Sequence, residues 1–183
     1  NDVHLANLFV EITRDSGGVN TDASDPAAYF PEGDEAATVI HNCHFKAADE
    51  GHAWSMRIRI AYPGTYEQVK GHTYAFGGRY GTASGTFTNC TGGESAFGGG
   101  SGAASGTFNN CTGGDHAYGG GWHGTAGGTF NNCTGGDWAF AGRSDEADGG
   151  VFRYFTGGTG SFPSFGTPEP VLLYCIQDGA AYP

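Results

Sequence analysis

Apolar and polar positions along this chain recur at an interval of 21 or 22 residues. From Gly85 the chain reads GTFTNCTGGESAFGGG, from Gly106 GTFNNCTGGDHAYGGG, and from Gly128 GTFNNCTGGDWAFAGR. Phe87, Phe108 and Phe130 form one apolar column; Cys90, Cys111 and Cys133 form a second, three residues further on. Degenerate copies extend both columns. Upstream, Tyr66, Val69 and Phe76 occupy the two columns and a later aromatic one, and before them Ile40, Cys43 and Trp54 do the same. Downstream the three positions are Phe152, Phe155 and Phe162. Six copies are legible, over roughly residues 38–166.

A fixed period of this length points to a solenoid or array. The Leu-x-x-Leu-x-Leu signature of a leucine-rich repeat is absent, a propeller blade needs about 40 residues, and calcium-binding coils repeat every nine or so. One coil of a single-chain parallel β-helix remains, with short strands, sharp bends and successive coils about 4.8 Å apart, so that equivalent residues stack. Strict alternation cannot turn two columns three residues apart toward the same side, so the backbone must bend between them. The residue available for that bend is Asn42, Asn89, Asn110 or Asn132. Asparagine tolerates the left-handed conformation of a tight corner, and an amide ladder from coil to coil follows. The pairs Gly92-Gly93, Gly113-Gly114 and Gly135-Gly136 are expected to mark the next corner.

The predicted fold is therefore all-β: a β-helix of about six 21- to 22-residue coils over 38–166. An N-terminal cap and loop precedes it (1–37) and a capping segment follows it (167–183). LANLFVEI (Leu5 to Ile12) and PVLLYCIQ (Pro170 to Gln177) are the most aliphatic stretches outside the repeats. They are expected to cover the open strand edges that would otherwise template fibres.

With these repeats the chain resembles the right-handed parallel β-helix proteins of the pectate-lyase-like group. Its Gly-rich N-C-T-G-G copies are similar to those of bacteriophage tail fibres, spikes and capsid fibres. The resemblance implies a homo-oligomer, a trimer by preference, or attachment to other virion or fibre proteins.

Composition adds constraints. Gly is 35 of 183 residues and the aromatics reach 14%; abundant glycine disfavours helix, while the rings supply a core. Eight basic against 19 acidic residues leave a net charge of −11, which repels phosphate backbones and anionic lipid, so no nucleic-acid or membrane partner is expected. No run of about 18 apolar residues and no basic-then-apolar leader is legible.

Candidate chemistry is sparse. The cysteines number five; in an inward ladder their side chains point the same way rather than at one another, which favours free buried thiols over disulfides. His41, Cys43, His44 and His52 are the densest group of potential ligands, yet no second pair stands at zinc-like spacing. No metal or other cofactor is expected. Glu94, Asp115 and Asp137 follow the glycine pairs and form an acidic strip, either solvated or closing on an ion. The same carboxylates are the only acids available to a polysaccharide-acting enzyme, and no loop insertion builds a cleft around them. Trp54, Phe76, Phe97, Tyr118, Phe140 and Phe162 sit beside a small-residue column, Ala53, Ala75, Ala96, Ala117, Ala139 and Ser161. Alternation lets only one of the two face inward. Either the rings form core, or they line an outer face suited to an interface or a cell-surface glycan.

The expected function is structural: a non-catalytic module of a virion appendage or surface fibre, virion-borne or extracellular. A polysaccharide lyase or hydrolase and a non-viral adhesin are the alternatives.

Overall fold

The computed structural model describes residues 4–7, 9–11, 29–30, 38–41, 44–46, 57–58, 64–71, 75–76, 82–98, 102–119, 123–140, 149–161 and 169–181. Asn42, Cys43, Ala53, Trp54 and Phe162 lie outside the described residues.

Every described regular element is a strand, and all are short. In chain order they are β1 (His4–Ala6), β2 (Phe9–Glu11), β3 (Tyr29–Phe30), β4 (Thr38–His41), β5 (His44–Lys46) and β6 (Arg57–Ile58). Then come β7 (Gly64–Glu67), β8 (Thr82–Ala83), β9 (Thr86–Thr88), β10 (Ala103–Ala104), β11 (Thr107–Asn109) and β12 (Thr129–Asn131). The last five are β13 (Val151–Arg153), β14 (Thr156–Gly157), β15 (Val171–Leu173), β16 (Ile176–Gln177) and β17 (Ala180–Ala181).

An eight-stranded sheet runs in the order β1-β4-β7-β9-β11-β12-β13-β15, each strand hydrogen-bonded to the equivalent strand of the turns before and after it. The pairing is parallel and in register: Tyr66 opposite Phe87, Phe87 opposite Phe108, Phe108 opposite Phe130, and Phe130 opposite Phe152. The second face is a line of single bridges from Lys70 through Thr91, Thr112 and Thr134 to Thr156. The molecule is a parallel β-solenoid.

The interior is built from stacked rings. Tyr66, Phe87, Phe108, Phe130 and Phe152 lie nearly parallel with centroids 4.7, 4.9, 4.9 and 4.7 Å apart, the spacing of the coils themselves. Phe76, Phe97 and Tyr118 form a second stack at 4.7 and 4.9 Å. The stacks meet edge to face, as between Phe97 and Phe108 at 5.5 Å. Ring quadrupoles favour such edge-on contacts, so each ring lies parallel to its copies along the axis and edge-on across the core.

The expectation that only one of the aromatic and alanine columns could face inward is overturned. Ala75, Ala96, Ala117 and Ala139 are buried, and so are Phe76, Phe97, Tyr118 and Phe140. Residues 94–96 form a turn rather than an extended strand, and strand alternation does not apply across it. The small side chain fills the inside of the turn while the ring after it enters the core. Phe76, Phe97, Tyr118 and Phe140 accordingly present no outer face to a glycan or partner.

The segments expected to cap the stack are themselves rungs of it. Leu5 of β1 pairs with Ile40 of β4, and Leu172 of β15 with Phe152 of β13. Winding then stops at Asp178 and Gly179, with φ of 51° and 75°, the pair of positive values that a two-residue hairpin turn requires. β17 folds back antiparallel along β16.

Candidate functional site

The corner after the main sheet is made by one left-handed residue per turn. Asn89, Asn110 and Asn132 have φ of 54°, 53° and 52°, and Asn7, Gln68, Tyr154 and Tyr174 adopt the same conformation in their own turns. Asn132 Nδ2 donates to Asn110 Oδ1 at 2.9 Å. Beside it runs a ladder that sequence reasoning missed: Asn131 Nδ2 donates to Asn109 Oδ1 at 2.9 Å, and an Arg153 guanidinium nitrogen to Asn131 Oδ1 at 3.4 Å. The signal was the doubled Asn in the second and third copies.

The glycine pairs do not supply the next left-handed corner. That role falls to Ser95, His116, Trp138 and Gly160. The pairs are glycine for lack of room. A Cβ on Gly113 would strike the Cβ of Ala117, and one on Gly136 would strike Oδ1 of Asp115.

That second conflict explains the acidic column. Glu94, Asp115 and Asp137 are exposed, and the two aspartates serve the backbone. Asp115 Oδ1 accepts the N–H of Asp137, and Asp137 Oδ1 accepts the N–H of Thr159, each at 2.9 Å. Each carboxylate replaces a carbonyl of the ladder, reaching the next turn over the glycine below it. The two aspartates are therefore structural acceptors. Among the described residues no three His, Cys, Asp or Glu side chains are grouped so as to hold a metal ion.

The thiols form a third column. Cys90, Cys111 and Cys133 are free and buried, and each Sγ donates to the carbonyl of the ring residue one turn back: Tyr66, Phe87 and Phe108, at 3.3, 3.4 and 3.4 Å. Cys175, outside the expected ladder, continues it toward the Phe152 carbonyl at 3.7 Å. Hydrogen bonding with Cys133 and Cys90 on either side, and then burial, push the Cys111 thiol far up. Burial first, and then the neighbouring thiols, raise Tyr118 well above its ordinary value; its hydroxyl donates to the Thr134 carbonyl at 3.3 Å. Cys111, buried and held protonated, is a poor nucleophile and a poor ligand, whereas Cys90 and Cys133 are lowered, first by their hydrogen bonds with Cys111.

The described site residues thus hold adjacent turns together through hydrogen bonds and packing. No family model, curated protein or solved structure matches the chain, so the parallel β-solenoid class rests on the fold itself.

Proposed function

We propose that this chain is a structural, non-catalytic β-helical module of a phage virion appendage or surface fibre, wound right-handed like the pectate-lyase-like group, with six coils over 38–166. It acts by rigidity. The observation that carries the reading is the unbroken ring stack from Tyr66 to Phe152, in register at every turn. Two neighbouring aspartates, the acids a hydrolase or lyase would need, are engaged with backbone amides. Its partners are other appendage proteins, and a cell-surface glycan where the module meets a host.

Immunogold electron microscopy of particles and cells from the source, with antibody to this chain, is expected to label appendages of virus particles. Label confined to the cell envelope would replace the virion reading with that of a non-viral adhesin. Release of reducing ends from acidic polysaccharides by the purified chain would overturn the non-catalytic one.

A further inference from the structure

From β7 onward, the outer polar pattern of the repeat fails toward the last two turns. The outward column of Thr86, Thr107 and Thr129 passes to Val151 and ends in Val171. The column of Asn109, Asn131 and Arg153 ends in Leu173. The second-face threonine column ends, after Thr156, in Ile176. At the corner, asparagine gives way to Tyr154 and Tyr174, whose rings stack at 5.1 Å. The large apolar side chains found exposed among the described residues all belong to these last two turns: Tyr154 60%, Val171 50%, Leu173 40%, Tyr174 75% and Ile176 38%. An apolar patch of this kind, beside the turns of β9, β11 and β12 that keep threonine and asparagine outside, marks an interaction surface.

The backbone under the patch identifies what fits it. Among the described residues β15 is the last strand of the main sheet, with β13 on one side only. Val171 N–H donates to the Gly150 carbonyl, and the Leu173 carbonyl accepts from Tyr154 N–H, each at 2.8 Å. In a parallel ladder both groups of one residue face the same neighbour, and successive residues alternate. Leu172 therefore turns its N–H and C=O to the open edge. The corner N–H points toward the following turn, as Asn132 N–H does toward the Arg153 carbonyl, so Tyr174 N–H lies on that edge too. Pro170 lacks an N–H and brings only a carbonyl.

We propose that β15 pairs antiparallel with β15 of a second copy of this chain, about a two-fold axis at Leu172. Leu172 then exchanges both of its bonds with its own copy. Tyr174 N–H donates to the Pro170 carbonyl of the second copy, and the missing proline N–H costs only the return bond. Val171 lies opposite Leu173, apolar against apolar on the outer face. An isologous contact demands such self-complementarity, and β15 carries none of the charged side chains that commonly guard an edge. Charge is compatible with the arrangement: the columns of Glu94, Asp115 and Asp137 lie in earlier turns, and among the described residues the last turn brings only Glu169 and Asp178 of each copy toward the contact, neither of them on β15. The contact holds whether or not the chain belongs to a virion.

Sedimentation equilibrium of the full chain is expected to give twice 18.9 kDa at high concentration. Leu173→Glu alone and Val171→Lys alone should each give the single-chain mass, with far-UV circular dichroism unchanged because both side chains are outward. Mixing the two variants sets opposite charges across from one another and should restore the double mass. In hydrogen exchange the Leu172 and Tyr174 amides should slow by about tenfold or more on association. A chain that stays single at all concentrations, a triple mass, variants that still pair, a mixture that stays unpaired, or edge amides indifferent to concentration would each overturn the proposal.

Discussion

At Asn110 two physical demands meet in one side chain. Its backbone stands at φ 53° and its Oδ1 accepts from Asn132. A β-branched residue resists the left-handed region at about 1–2 kcal/mol, while glycine enters it freely. Asn110→Val should therefore melt several degrees below Asn110→Gly, and equal melting temperatures would show that the corner conformation contributes nothing. The thiol column makes a separate prediction. Cys111 ionises near pH 9 when unfolded and is raised in the folded chain; Tyr118 is likewise raised from about 10. Below pH 9 both groups are protonated in either state, and they add no pH dependence. Above it the unfolded chain loses protons that Cys111 and Tyr118 keep in the folded chain, so their contribution to stability falls as pH rises, whereas Cys90 and Cys133, lowered by their hydrogen bonds with Cys111, add stability as pH rises toward 9 and none of the decline above it. Thermal melts are expected to show this decline beginning near pH 9, and to show it weakened just above that pH in Cys111→Ala.

Between elements, the aspartate column is a substitute for backbone. Removing the Asp115 carboxylate leaves the Asp137 amide without that acceptor, a loss of about 1 kcal/mol for an ordinary hydrogen bond. Asp115→Ala should lower the melting temperature by a few degrees, and Asp115→Asn, which keeps an acceptor oxygen, by much less. Added calcium should leave the wild-type melt unchanged, since Oδ1 of both Asp115 and Asp137 is engaged by a backbone amide. A calcium-dependent rise would restore the ion-binding reading. Gly136 and Gly158, each two residues after a threonine of the second face, belong to the same device, because they leave space for the carboxylates of Asp115 and Asp137.

For the whole molecule, stability is passed from turn to turn, as in other solenoids. The final rung covers Phe152 and Phe155 through Leu172 and Cys175, and the β16–β17 hairpin turns the second face back on itself. Deleting residues 170–183 should uncover those rings together with the edges of β13 and β14. Light scattering is then expected to report large aggregates of the shortened chain. A soluble single chain after the deletion would show that the last rung neither covers nor assembles.

The period, the inward columns of Phe87 and Cys90, and the left-handed asparagine between them were legible in the sequence because each is a local demand. Apolar side chains repeat where they are buried, and a bend between two inward residues needs a residue that accepts positive φ. The acidic column was legible as a column but not as hydrogen bonds, since its acceptors act on the next turn, 22 residues away, across a glycine. Alternation misled at Ala96 and Phe97 because it holds only for extended chain, and residues 94–96 turn. The tail read as a cap because valine, leucine and tyrosine break the repeat's wording while keeping its register. Which of those apolar side chains point in and which out depends on the strand they lie against, and only the tertiary structure decided that.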